Sequence, residues 1–154
     1  MKETKLVLVS GGFDPIHVGH IRHIQAAKKL GDILLVIVNS DEDMTRKKGY
    51  CFMPLVERME IVKSIKGVDI VAKVTDTDGS SAETIRLYCP DIFAKGGDRN
   101  PTDNPIPQSE IEACEEVGCE IVYNVGDEKI QSSSALVKAM QIVEEKQRKD
   151  RTSK

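Results

Sequence analysis

Six consecutive apolar residues, Ile33 to Val38, constrain the fold of this chain most. Side chains of a strand alternate between its two faces. A strand that is apolar throughout must therefore be covered on both, as in a parallel sheet. Strand and helix signals alternate around this run. Leu6 to Val9 is a β-type segment, and Ile21, Ile24, Ala27 and Leu30 have helical spacing before a turn at Gly31-Asp32. Pro54 opens a helix with a buried stripe of Leu55, Met59, Val62 and Ile65, closed by Gly67. Asp69 to Val74, Ile92 to Lys95 and Cys119 to Val125 read as three further strands. Capping boxes at Ser80 to Glu83 and Ser109 to Glu112 predict helices before and after the fourth strand. Ser132-Ser133-Ser134 caps a last helix with Leu136, Met140 and Val143 facing inward.

The pattern predicts an α/β fold: one domain over residues 1–143, with helices on both faces of a doubly wound, Rossmann-like, mostly parallel five-stranded sheet. Residues 144–154 are charged, lack apolar side chains and are expected to fray or stay disordered. In such a sheet the ligand sits beyond the carboxyl ends of the strands, at the switch point. The suggestive clusters fall there. Gly11 to His20 follows the first strand, Lys95 to Arg99 the fourth and Gln131 to Ser134 the fifth. The basic run Arg46-Lys47-Lys48 trails the second strand at a greater distance. The loop from Asn100 to Pro107 is long enough for a flexible cover.

Gly11-Gly12 between a buried strand and a helix lets backbone N–H groups approach an anion, and the helix start adds a favourable dipole. His17 and His20 are three apart at that start, so both rings can face one side, and Gly19 between them leaves open space. Two imidazoles on an anion-binding loop point to chemistry on phosphate. His23 is expected to lie solvated on the same helix. Neither G-x-G-x-x-G nor a P-loop is present, and His-x-x-His alone is short of a zinc site.

Composition narrows the partners. A net charge of −3 argues against a dedicated nucleic-acid binder. No apolar run approaches the ~20 residues of a membrane span, and the N-terminus has no signal-peptide pattern, so no membrane partner and a cytoplasmic location are expected. The four cysteines lack C-x-x-C spacing and are expected to be reduced, with Cys89, Cys114 and Cys119 in the core.

The string Gly11-x-Phe13-Asp14-x-x-His17-x-Gly19-His20 resembles the signature of the cytidylyltransferase-like nucleotidyltransferases. That superfamily includes glycerol-3-phosphate cytidylyltransferase, the heptose-1-phosphate adenylyltransferase domain and archaeal FAD synthase. The resemblance implies transfer of AMP or CMP from a nucleoside triphosphate, with Mg²⁺, to a phosphorylated small-molecule acceptor such as a sugar or polyol phosphate. The resemblance also implies release of pyrophosphate and a homodimer, as is common among the resembling enzymes. It assigns His17 and His20 to the phosphates and the transition state, and the backbone amides of Gly12 and Phe13, within the Gly11–Asp14 loop, to phosphate binding. Glu57-Arg58-Met59 resembles the family segment whose arginine reaches into the site. Lys48, with Arg46 and Lys47 as alternatives, corresponds to a lysine on a mobile loop that closes over the phosphates. Lys95-Gly96-Gly97-Asp98 matches the adenylyltransferase subgroup; its glycines leave room for a base or ribose, and Asp98 for a hydroxyl or Mg²⁺. Ser132, Ser133 and Ser134 stand where the family holds the β- and γ-phosphates.

The stretch Asp127 to Gln131 lacks the arginine of the cytidylyltransferase motif, which favours ATP over CTP. The alternative from another class is a non-catalytic nucleotide-binding sensor of the same fold. A flavodoxin-like FMN binder ranks last.

Overall fold

A computed structural model of the chain describes residues 3–126 and 133–152. Five strands, β1 (Leu6–Gly11), β2 (Ile33–Val38), β3 (Ile70–Lys73), β4 (Ile92–Ala94) and β5 (Glu120–Val122), form one sheet in the order β3-β2-β1-β4-β5. Every pairing is parallel. The helices are α1 (Val18–Lys28), α2 (Asp41–Lys48), α3 (Leu55–Lys63), α4 (Ala82–Tyr88), α5 (Gln108–Val117) and α6 (Ser133–Thr152). Strand order reverses between β1 and β4, which makes the end of β1 the switch point.

The apolar run behaves as its pattern requires. Leu34, Val36 and Val38 pack with Val7, Val9, Ile24, Ala27 and Val62 under α1 and α3. Leu35 and Ile37 face the other way, against Leu8, Ile85, Phe93 and Ala113 under α4 and α5. Each fully buried side chain of this size contributes roughly 1.5–3 kcal/mol. Pairing of Gly11 with Val38 opens the loops after β1 and β2 at the same edge of the sheet.

Several local expectations are corrected. The stretch from Asp41 to Lys48 is a helix, not a loop carrying a basic cluster. It buries only Asp43 and Met44, so no apolar stripe announces it. Its signals are polar: Ser40 Oγ accepts the Asp43 N–H at 3.0 Å, acids fill the first turn, bases the last, and Gly49 closes it at φ +87°. The box expected at Ser80 to Glu83 is not formed. Asp76 caps α4 from outside the helix, accepting from Glu83 N–H at 2.7 Å and Thr84 N–H at 3.1 Å. Pro107, not Ser109, stands at the N-terminal boundary of α5.

The loop after β4 is tied down rather than free to cover the site. Arg99 Nη1 donates to Pro105 O at 2.8 Å, Asn104 Nδ2 to Asp98 O at 2.7 Å, and Ile106 is buried in the α4–α5 core. Cys114 and Cys119 are buried as expected, but Cys89 is exposed at the left-handed end of α4. The charged residues from Glu144 onward lie in α6, which runs to Thr152. Glu, Lys, Gln and Arg are good helix formers, and the Glu145–Lys149 pair at 3.8 Å has the favourable i, i+4 orientation.

Candidate active site

A cavity of about 320 Å³ opens at the switch point, between the ends of β1 and β4. One wall is the loop after β1 and the first turns of α1. His17 is the N-cap of α1 and has extended backbone geometry. Its Nδ1 accepts the Gly19 N–H at 3.1 Å, while its own N–H donates to His20 Nδ1 at 3.2 Å. Two imidazoles thus form a reciprocal capping box, the role usually played by a hydroxyl and a carboxylate. An Nδ1 that accepts a hydrogen bond carries no proton, so each ring holds its hydrogen on Nε2. The rings stack at 3.8 Å, and Phe13 meets His20 edge-on at 5.1 Å. The helix start therefore holds two oriented N–H groups, of which His17 Nε2 is buried.

Two glycines make this packing possible. A Cβ on Gly19 would lie 3.0 Å from the His17 ring, so the space expected to stand open is filled by that imidazole. A Cβ on Gly11 would lie 2.9 Å from the ring of Phe13. Phe13 itself holds a φ of 54°, unusual outside glycine, which turns the chain sharply out of β1.

His23 is a lining residue, not a solvated one. One helical turn beyond His20, its Nδ1 lies 2.7 Å from Val125 O. A carbonyl can only accept, so here Nδ1 carries the hydrogen and the neutral ring offers Nε2 as an acceptor. Burial lowers the His23 pKa below its ordinary value of 6.5, against the opposing pull of the Val125 carbonyl. The stabilisation from keeping it neutral is complete above that value and is lost as the pH falls below it, because the unfolded chain then binds the proton more readily. Melting temperature should therefore fall less in His23→Gln than in the wild type when the pH is lowered from about 7.5 to about 5.5. Parallel melting curves against pH would show His23 to be irrelevant.

The opposite wall comes from β4, the β3–α4 loop and α5. Lys95, Gly96, Gly97, Asp98 and Arg99 line it, with Gly79, Ser81 and Glu110. The Lys95 ammonium sits 4.6 Å above the Phe93 ring, and burial lowers its pKa. Burial pushes the Glu110 carboxyl up, partly offset by Lys95. Lys47 completes the lining from the last turn of α2.

Gly11, Phe13, His17, Gly19, His20, Lys95, Gly96, Gly97 and Asp98 are thus brought together as anticipated, and Gly12, Asp14, Lys48 and Arg58 are not among the lining residues. Asp14 is fully buried and accepts the N–H groups of Phe52 and Met53 at 2.8 and 2.6 Å. Lys48 is fixed at the end of α2, where its Nζ donates to the Asp14 carbonyl. Arg58 is fully buried behind the loop. Its guanidinium donates to Met53 O, Gly12 O, Asn39 O and Asp41 Oδ1, all within 2.8 Å. These residues build the floor on which the histidine loop rests. Ser132 lies outside the described residues, as do the side chains of Ser133 and Ser134, whose backbone opens α6.

The model of the cytidylyltransferase-like family matches residues 8–149. The chain belongs to this family. It is 41% identical over 101 residues to an FAD synthase of Thermococcus sibiricus, covering 64% of this chain and 68% of that protein. It is 40% identical over 96 residues to the bifunctional protein HldE of Nitratiruptor, covering 61% of this chain and 20% of that protein. The chain spans about one fifth of the length of the bifunctional relatives it matches. A lipopolysaccharide core biosynthesis protein of Thermoplasma volcanium superposes with a TM-score of 0.66 at 25% identity, covering 82% of this chain and 99% of that one.

Within this cytidylyltransferase-like domain the cavity offers histidine N–H donors and a helix start on one wall, and Lys95, Arg99, Asp98 and Glu110 on the other, with Lys47 completing the lining. Among the described residues no group of three or more His, Cys, Asp or Glu side chains is placed to hold a metal ion. Nor is any described helix long and apolar enough to cross a membrane.

Proposed function

We propose that the protein is a nucleotidyltransferase that moves a nucleotidyl group, AMP in preference to CMP, from a nucleoside triphosphate to the phosphate of a small-molecule acceptor. An acceptor phosphate oxygen attacks the α-phosphorus. The bond from that phosphorus to the bridging oxygen breaks, and pyrophosphate leaves with the electron pair. The attacking oxygen is already anionic, so no general base is needed. The protein has to hold two repelling anions in line and stabilise the charge that grows between them.

The observation that carries this reading is the pair of Nε2–H donors fixed at the start of α1 by the His17–His20 capping box. Lys47 and Lys95, which line the same cavity, supply the compensating charge. Mg²⁺ enters with the triphosphate substrate, whose charge it neutralises. Adenylyl transfer is supported by the FAD synthase relative, whose product contains AMP, and by Lys95-Gly96-Gly97-Asp98 on the cavity wall. The homodimer implied by the family resemblance belongs to the same proposal, and light scattering checks it.

Pyrophosphate release should require both Mg–ATP and a phosphorylated polyol or sugar. CTP should be at least about tenfold poorer, because polar groups matched to one base stay unpaired with the other. Binding of nucleotide without pyrophosphate release for any phosphorylated acceptor would instead make the chain a sensor module. Better turnover with CTP would reverse the base assignment alone.

A further inference from the structure

His23 lies one helical turn beyond the string that resembles the family signature, yet it lines the same cavity. Its Nδ1 is committed to the Val125 carbonyl at 2.7 Å, which fixes both the tautomer and the direction of the ring. Nε2 is then a lone pair without a hydrogen-bond partner among the described residues, and it is not one of their buried unpartnered atoms. The ring is also firmly held. A Cβ on Gly126 would lie 3.1 Å from His23 Cα, so the chain leaving β5 is pressed against α1 at this residue. The cavity thus contains one fixed, neutral acceptor.

Polarity decides what such an acceptor can meet. The start of α1 is rich in donors and suits phosphates. A phosphate oxygen is itself an acceptor and would be repelled by Nε2, so the part of a nucleotide that reaches His23 must carry an N–H or O–H. Asp98 stands on the facing wall, and a carboxylate is the usual partner of ribose hydroxyls. Gly96 lies between the two: a Cβ there would be 3.3 Å from Asp98 Oδ1 and 3.8 Å from His23 Nδ1. With the ribose at Asp98, the group at His23 belongs to the base.

Gly97 points to the shape of that group. Its backbone is outside the left-handed region, and a Cβ would meet nothing closer than Asn124 Oδ1 at 3.8 Å. Neither torsion nor packing within the chain requires a glycine there. The bare backbone of Gly96 and Gly97 leaves a flat strip of cavity wall beside His23, against which a planar ring can lie.

We infer that His23 reads the base: its Nε2 accepts a hydrogen bond from the exocyclic amino group, so the site takes the amino bases adenine and cytosine and rejects their keto counterparts. A keto oxygen in the same place would lose the bond and set two lone pairs against each other. The inference rests on the nucleotidyltransferase reading for the ligand being a nucleoside triphosphate; the choice of base has its own test.

Calorimetry on the full chain, with Mg²⁺ and without acceptor, compares ATP with ITP, which carries a keto oxygen in place of the amino group. ATP should bind at least about tenfold more tightly than ITP, and CTP than UTP. His23→Phe keeps a ring and removes the acceptor. Its ATP-to-ITP ratio should fall below about threefold, with ITP binding unchanged or improved. A merely structural role would weaken both nucleotides alike and leave the ratio in place. Side-chain nitrogen NMR of the three histidines gives a second reading in the wild type. ATP should move the His23 Nε2 resonance upfield, as accepting a hydrogen bond does, and ITP should not.

Equal binding of ATP and ITP, a ratio that survives in His23→Phe, or an Nε2 resonance that ATP leaves in place would overturn the inference. So would a variant that loses discrimination against 2′-deoxy-ATP while keeping that against ITP, which would give Nε2 to the ribose. Should His23→Phe not fold, the wild-type spectra decide. Absence of binding by any triphosphate would sink the proposed function together with the inference. Equal binding of amino and keto bases with normal pyrophosphate release would sink the inference alone.

Discussion

His20→Ala should lower turnover by about 100- to 1,000-fold, the range seen when one preorganised donor to a developing anion is removed. The reason lies in the tautomer. His20 Nδ1 is occupied by the His17 N–H, so Nε2–H is the only hydrogen the ring can offer, and the backbone holds it in place. Deletion removes that donor and also loosens His17, whose ring stacks on His20 at 3.8 Å. Stability should fall too, since half of the α1 capping box is lost, at a cost of about 0.5–2 kcal/mol. The domain would still fold. Steady-state kinetics with a thermal melt checks both parts. Near-normal turnover in a folded variant would remove the histidines from the chemistry.

Arg58→Met should have the opposite profile, a large loss of stability with activity following the folded fraction. Arg58 is fully buried and ties Gly12, Asn39 and Met53 carbonyls to the Asp41 carboxylate. Methionine fills the volume but leaves three carbonyls without that donor. The Asp41 carboxylate is half-exposed and can turn to water, so the loss falls on the three carbonyls, at about 1–3 kcal/mol each, and for a domain of this size each kcal/mol lowers the melting temperature by roughly 2–4 °C. Against a typical total of about 5–15 kcal/mol, the variant approaches the edge of folding. Arg58→Lys should rescue little, because one ammonium cannot span four acceptors set by a planar fork. An unchanged melt with abolished turnover would return Arg58 to direct contact with substrate, as the family resemblance implies.

The contrast between these residues shows how the site is divided. Both stand within strings that resemble family motifs. Only His20 lines the cavity; Arg58 holds up the loop from behind, together with Asp14 and Lys48. A motif marks residues that a site depends on, without separating those that touch the ligand from those that shape the loop. Glu110 illustrates the converse. It lies in no motif, and its spacing in α5 reads as an ordinary charged position. It joins the cavity wall only because the start of α4 brings the Ser81 N–H to 3.1 Å from its Oε2.

Local sequence by itself determined the parallel sheet, the order of its elements and the switch-point loop. The reasons are short-range: six apolar residues in a row demand cover on both faces, glycines permit the turn after β1, and His17-x-Gly19-His20 forms its capping box within one helical turn. Only the tertiary structure decided that α2 is a helix buried through Met44, that His23 turns inward to the Val125 carbonyl, and that Lys47 rather than Lys48 reaches the cavity. Those outcomes depend on partners far away in the chain. His23 and Val125 are 102 residues apart, and Lys48 and Asp14 are separated by 34. A side chain's periodicity says which face of its own element it occupies; what stands opposite that face is settled by how the sheet brings distant strands together.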